Sequence, residues 1–184
     1  MASLGSKLAA DGGCLVSTRH QKVEWPRVIR VENVADYPEL VATVAEWHWN
    51  EWGHSDPGGS LETWTAGLRN RTSRDRVPMT FVAIDGVGEP IGSVTLVEHD
   101  MPDRADLQHL TPWIAGTFVV PGERGTGVGT ALMRHAVTEA SRIDVPQVYL
   151  YTSSARGFYE RLGWAVLRDD AYEGEQVTIM VLRF

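Results

Sequence analysis

Val119-Val120-Pro121-Gly122-Glu123-Arg124-Gly125-Thr126-Gly127-Val128-Gly129-Thr130-Ala131-Leu132 carries the chain from an apolar run, Trp113 to Val120, into a helical pattern through a glycine-rich bend. The run reads as a buried strand and Pro121-Gly122 as its stop. Val128, Ala131, Leu132, His135, Ala136 and Ala140 form one face of the helix that follows. Alternating glycines let the backbone curl and leave N–H groups unscreened by any Cβ. The first turn of a helix adds unpaired N–H donors and a partial positive charge. Strand, bend and helix start in this order make an anion site of phosphate size, so the chain is expected to bind a phosphorylated ligand.

Two common phosphate loops are excluded by spelling. A Walker loop has Lys-Ser or Lys-Thr after its last glycine, whereas Thr130-Ala131 follows Gly129 and no lysine occurs after Lys22. A dinucleotide fingerprint is Gly-x-Gly-x-x-Gly, and from Gly127 the chain reads Gly-Val-Gly-Thr-Ala-Leu. The remaining pattern, Arg-x-x-Gly-x-Gly at Arg124, Gly127 and Gly129, resembles the pyrophosphate loop of the GNAT family of N-acetyltransferases. Further on, Ala155-Arg156-Gly157-Phe158-Tyr159-Glu160-Arg161-Leu162-Gly163-Trp164 resembles that family's Ala-x-x-Phe-Tyr-x-x-x-Gly-Phe signature, with Trp164 in the last aromatic place. The resemblance covers Met79 to Phe184, and more loosely the chain from Pro26.

Composition sets the outer bounds. The chain has 184 residues, 43% of them apolar and 22% charged, which suits one globular domain. A net charge of −7 argues against nucleic acid as the main partner, since phosphate contacts need clustered Lys and Arg. Cys14 is the single cysteine, so no internal disulfide forms and a reducing, cytoplasmic setting is expected. No apolar run approaches the roughly 18 residues of a membrane helix. Residues 1–25 read as a flexible leader and 26–184 as the single domain.

Along that domain, Arg27 to Val31 reads as a first strand, and Asp36 as the cap of a helix bearing Leu40, Val41, Val44, Trp47 and His48 at helical spacing. A Pro-Gly-Gly loop leads to a short helix capped by Ser60. Strands are then expected from Met79, from Ile91 to Val97 and from Trp113 to Val120, with a loop from His99 to Pro112. After the glycine-loop helix come a strand, Gln147 to Tyr151, and a helix capped by Ser153 or Ser154. A final hairpin runs through Trp164 to Leu167 and Gln176 to Phe184. The order is one strand, two helices, three strands, helix, strand, helix, two strands. It matches the mixed α/β GNAT fold: a mostly antiparallel seven-stranded sheet with flanking helices.

The resemblance implies acetyl-CoA as cosubstrate and an amine as acceptor, attacked directly in a ternary complex. It implies that the strand before the glycine loop splays from the strand after its helix. Backbone groups of Phe118, Val119 and Val120 would then pair with pantetheine, while Arg124 and the N–H groups of Gly125, Thr126, Gly127, Val128, Gly129 and Thr130 take the pyrophosphate. Thr152 stands where the family often has an asparagine that anchors the cofactor. Tyr159 matches the tyrosine that contacts the coenzyme sulfur. A phenol of pKa about 10 giving its proton to a thiolate of about 8.5 goes uphill by roughly 2 kcal/mol, so hydrogen-bond donation with late transfer describes its role.

Deprotonating the ammonium has no evident owner. Many family members carry a glutamate on the strand before the loop, and here that place holds Ala115. Glu98 is the first substitute; Glu51, His54, Asp100 and a water chain to bulk remain open. Trp47, Trp49, Trp52 and Trp64 fall where the family builds its acceptor pocket, and aromatic faces attract ammonium groups. Trp47 and Trp64 suit core positions, leaving Trp49, Trp52 and Glu51 as acceptor-binding candidates. His48, His54, His99 and His109 show no metal-ligand spacing, and no metal is expected. Three acceptors fit: a small-molecule amine first, then a protein N-terminus or lysine, or none, if the chain only senses acyl-CoA. Dimers are frequent in the family, so a homodimer is compatible.

Overall fold

The computed structural model describes residues 28–184; the leader, Cys14 and the first residue of the expected opening strand, Arg27, lie outside them. A seven-stranded sheet runs in the order β1-β2-β3-β4-β5-β7-β6. Its strands are β1 Arg30–Asn33, β2 Met79–Ile84, β3 Pro90–Val97, β4 Trp113–Val119, β5 Gln147–Thr152, β6 Ala165–Tyr172 and β7 Glu175–Arg183. Helices α1 Val41–Trp52, α2 Leu61–Arg69, α3 Val128–Arg142 and α4 Arg156–Arg161 cover it. Every pairing is antiparallel except β4 with β5.

The two faces are built differently. Met79, Phe81 and Ala83 of β2, Val94 and Leu96 of β3, and Leu150 of β5 point to the back, under the α3 face of Val128, Leu132, Met133 and Ala136. Alternation along each strand sends the other set forward. There Val82 and Ile84 pack under Val44 and Leu68 of α1 and α2. The long β3–β4 connection lays Met101, Leu107 and Leu110 over Trp113, Ala115, Tyr149 and Ile179. Gly92 lets α3 approach β3, since a Cβ there would stand 2.6 Å from Phe118 O and 3.1 Å from a Leu132 methyl.

Four sequence expectations shift. β1 starts at Arg30, and Asp36 caps nothing: Asn33 Oδ1 accepts from Ala35 N, while Asp36 pairs with Arg74. Helix α1 begins only at Val41, after a 3-10 turn over Pro38–Leu40. Neither serine caps α4; Thr152 Oγ1 reaches forward instead and accepts from Ala155 N at 3.0 Å. Arg168-Asp169-Asp170, polar residues between the two expected strands of the last hairpin, are strand. As the exposed edge, β6 needs no apolar face, and its charges pair across to the β3–β4 connection through Arg104–Asp170 and Arg168–Asp106. Ser60 does cap α2, in a reciprocal box with Thr63.

Candidate active site

β4 and β5 meet at one register pair, Trp113 with Tyr149, where Tyr149 N donates to Pro112 O at 3.0 Å. Beyond it they part, while each keeps its outer neighbour: β4 stays on β3, and β5 stays on β7 from Gln147 to Thr152. The splay expected from the resemblance is therefore in the backbone.

Directly beyond the gap lies the glycine bend. Gly125 and Gly127 have φ of +80° and +98°, and a Cβ on either would meet nothing within 4 Å. L residues seldom adopt this conformation, and the space above the amides stays open. Ala131 N is the first to close onto the helix, on Gly127 O at 3.0 Å. Val128, Gly129 and Thr130 are thus the amides a helix start leaves over. Thr126 is folded back, its N–H and hydroxyl both on Glu123 O. Arg124 donates to Val119 O at 3.1 Å, lies 6.0 Å from the Phe118 ring centroid, and stands 3.8 Å from Glu51. Val120 is engaged within the chain through both backbone groups, with Ile91 O and Glu123 N. Phe118 and Val119 carry the strand's edge toward the gap. Glu51, a sequence candidate for the acceptor, sits with this loop.

β4 is bulged at the gap. Thr95 pairs with Ala115 but Ser93 with Phe118, so Gly116 and Thr117 together oppose one residue of β3. Gly116 takes φ +55°, and one extra residue reverses the alternation that follows. Thr117 thereby turns backward, toward Met133 and Tyr159. Phe118 turns forward, to stack on Trp47 at 5.4 Å. Tyr159 is buried between Phe158 and Trp164 and has the Thr117 side chain as hydrogen-bonding neighbour. Burial raises its phenol above the ordinary range, so it is held protonated, a donor.

In front of the bulge lies His48 of α1, 5% exposed, hydrogen-bonded to Ser93 Oγ at 2.9 Å and edge-on to Trp52. A Cβ on Gly116 would come 2.9 Å from its ring. Burial, with Arg71 adding to it, lowers the imidazole to about 4, so at neutral pH it is uncharged. His48 also lines a cleft of about 300 Å³ between α1 and α2, with Ala45, Trp64, Leu68 and Arg71. Trp64 faces this cleft, its Nε1 on Asp56; Trp49 packs edge-on to Trp64 and over Gly53.

Of the base candidates, Glu98 is exposed where β3 ends, as are Glu51 and His54. Asp100 is half-buried, and burial raises its carboxyl to about 7 against the pull of Arg71. Its charge also acts on Tyr159, Tyr151 and Tyr172. Thr117, Ser93 and Arg71 escaped the sequence reading. Only Gly116, breaking an apolar strand, hinted at a bulge. Among the described residues no group of three or more His, Cys, Asp or Glu is placed to hold a metal, and no helix is long and apolar enough to cross a membrane.

A sheet parted at its centre, with a glycine-led helix start at the mouth of the gap and a buried phenol beside it, is the architecture of the N-acetyltransferases. A model of the acetyltransferase (GNAT) family matches residues 41–164, and the chain belongs to that family of acetyl-CoA-dependent enzymes. Solved structures share the fold at low identity. An aminoglycoside 6'-N-acetyltransferase complexed with coenzyme A aligns at TM-score 0.64 and 13% identity, over 85% of this chain and 96% of that one. A spermidine N-acetyltransferase from Vibrio cholerae, in complex with CoA and spermine, gives 0.63 and 18%, over 85% and 95%. An IAA acetyltransferase from Bacillus cereus gives 0.54 and 20%, over 85% and 100%. No curated protein matches the chain.

Proposed function

We propose that the chain transfers the acetyl group of acetyl-CoA to a primary amine of a small molecule. The observation that carries this is the single-pair contact of β4 with β5 opening onto the bare glycine amides. The residues fit the coenzyme. Open space over Gly125 and Gly127, with the spare amides of Val128, Gly129 and Thr130, suits a diphosphate. The inner edge of β4 at Phe118 and Val119, which has no strand partner there although Val119 O accepts from Arg124, suits an amide-bearing arm, as an added strand would. Thr152, its hydroxyl accepting from Ser154 N and Ala155 N, stands at the opposite lip.

Acetyl-CoA supplies an activated thioester; the protein holds it, excludes water and manages protons. Tyr159 donates its hydroxyl hydrogen bond to the departing sulfur, and its raised pKa keeps that proton in place at pH 7. The acceptor enters from the front, where the α1–α2 cleft of about 300 Å³ lies at the lower end of small-ligand pockets and is too small for a folded protein surface. Trp64 gives it an aromatic wall, with Trp49 edge-on to Trp64 and Trp52 edge-on to His48. The single cysteine of this sequence supports a cytoplasmic setting.

The test is thiol release from acetyl-CoA with a panel of amines: spermidine, spermine, an aminoglycoside, free amino acids, and peptides with a free N-terminus or lysine. Turnover confined to small amines is the expected outcome. Preference for the peptides would turn the assignment to protein acetylation. Tight CoA binding with no thiol release from any amine would make the chain a sensor.

A further inference from the structure

The acid-base partner missing from Ala115 is supplied from another strand connection. We infer that Asp100, held by the β3–β4 connection in front of the parted strands, is the group that takes the proton from the acceptor's ammonium. This rests on the acetyltransferase reading above and deepens it.

The geometry is a cluster assembled from five elements. Asp100 leads into Met101, which is 1% exposed in the apolar layer of Ala115, Tyr149 and Ile179, against which Tyr151 and Tyr172 pack. That anchor holds the chain next to Asp100 on the front face, beside β4 and β5. Tyr172, itself edge-on to Tyr151 at 5.6 Å, donates to Asp103 Oδ1 at 2.9 Å, so the connection cannot lift away without breaking that bond. The charged and titratable groups around Asp100 are Arg71 after α2, Glu173 in the β6–β7 turn, Tyr151 of β5, Tyr172 of β6 and Tyr159 of α4. Tyr159 is the residue at the leaving sulfur, and Arg71 also lines the α1–α2 cleft. Asp100 is thus electrostatically joined both to the group at the thioester and to the wall of the acceptor cleft. Glu98 and Glu51 are exposed, and Glu51 pairs with Arg124 of the glycine loop instead.

The chemistry follows in balanced steps. The ammonium gives one proton to the Asp100 carboxylate. The freed nitrogen lone pair forms the C–N bond as the C–S bond breaks, and the sulfur leaves with the electron pair. The second proton of the attacking nitrogen ends on the thiolate, with Tyr159 hydrogen-bonded to it, and Asp100 returns its proton to water. Removal from water, with Glu173 beside it, pushes the carboxyl up to about 7, while Arg71 restrains the rise. A carboxylate near 4 would take a proton from an ammonium of about 10.4 roughly a thousandfold less readily.

The full chain is assayed with acetyl-CoA and the best amine of the panel, between pH 5.5 and 9. Wild-type kcat/KM should rise through a limb near 7, since Asp100 must be ionised to act. Asp100→Asn should lower kcat/KM at pH 8 by about a hundredfold or more and remove the limb, with the CoA Kd within about twofold. Arg71→Gln should move the limb to higher pH, which a merely structural arginine would not do. The 13Cγ resonance of Asp100, assigned by comparison with Asp100→Asn, should titrate near 7. A carboxyl titrating near 4, Asp100→Asn retaining the limb and a rate within about threefold of wild type, or a limb lost in Glu98→Gln instead, overturns the inference in a chain that still turns over. Absence of thiol release from every amine overturns the acetyltransferase reading and this inference together.

Discussion

Behind the sheet, α3 lies on a dry layer of Phe81, Val94, Leu96, Leu132, Met133 and Ala136. In front, the buried set includes His48, Thr80, Ser93 and Thr95, with Asp100 at its margin. On the proposed reading, the back serves the coenzyme and needs little more than backbone amides and an apolar support. The front, which that reading gives to the acceptor, must hold polar side chains out of water, where each requires a partner. Thr80 and Thr95 hydroxyls pair with each other, and His48 with Ser93. That reading puts specificity and proton traffic on the side that costs more to fold.

The contrast breaks most sharply at the loop. Gly127→Glu places a side chain where φ is +98° and a carboxylate where the diphosphate belongs. Calorimetry should show CoA affinity reduced by about a thousandfold or more, with the fold intact by circular dichroism. Unchanged affinity would mean that the phosphate site lies elsewhere.

On the front, His48 gives the next largest effect, in stability. Its pKa is depressed in the folded chain, to about 4 from 6.5, so the unfolded chain takes the proton first. The folded state is uncompromised above 6.5 and loses about 3 kcal/mol as pH falls through that window. Urea midpoints at pH 7 and 4.5 measure this loss. His48→Gln should be less stable at pH 7 but should show a shallower slope; an equal slope would assign the acid sensitivity to other groups.

Tyr159→Phe sharpens the comparison, because this residue stands where the two faces meet. Turnover should fall by about ten- to a hundredfold while the CoA Kd stays within about twofold. Equal loss of both would make it a packing residue. The smallest effect is expected at Asp170, the carboxylate held near 2 by Arg104, Ala171 N and Arg168. Although Asp170 is partly buried, its pairs reach the surface through Arg168 and Asp106, where ion pairs contribute little and are screened by salt. Asp170→Asn should raise the acceptor KM by no more than about threefold, and roughly 0.5 M NaCl should do the same to wild type.

The same division decides what could be read from the sequence. The coenzyme side is local: Arg124, Gly127, Gly129 and the α3 stripe sit within one turn and one helix, and Tyr159 lies inside a contiguous motif. Periodicity and glycine spacing reach that far, and the splay of β4 from β5 followed from the resemblance those motifs carry. The proposed acceptor side is assembled across the chain, from His48, Arg71, Ser93, Asp100, Gly116 and Tyr151. No spacing rule links residues that only a finished sheet brings together. The Gly116 bulge, which sends Thr117 to Tyr159, changes which way a side chain points without changing a letter elsewhere. The β6 charges read as a turn because polarity alone does not separate an exposed edge strand from a loop.

One consequence of the lone Trp113–Tyr149 pairing concerns motion. β1–β4 and β5–β7 are two panels sharing a seam one residue pair long. A ligand that fills the seam and bonds to both edges ties the panels together, and it favours the joined state in proportion to its saturation. Amide hydrogen exchange at Thr117 to Val119 and Tyr151 to Ser153 should slow on adding CoA, while β2 and β7 exchange as before. Slowed exchange at those residues would make the coenzyme a mortise pin for this protein as well as an acetyl donor.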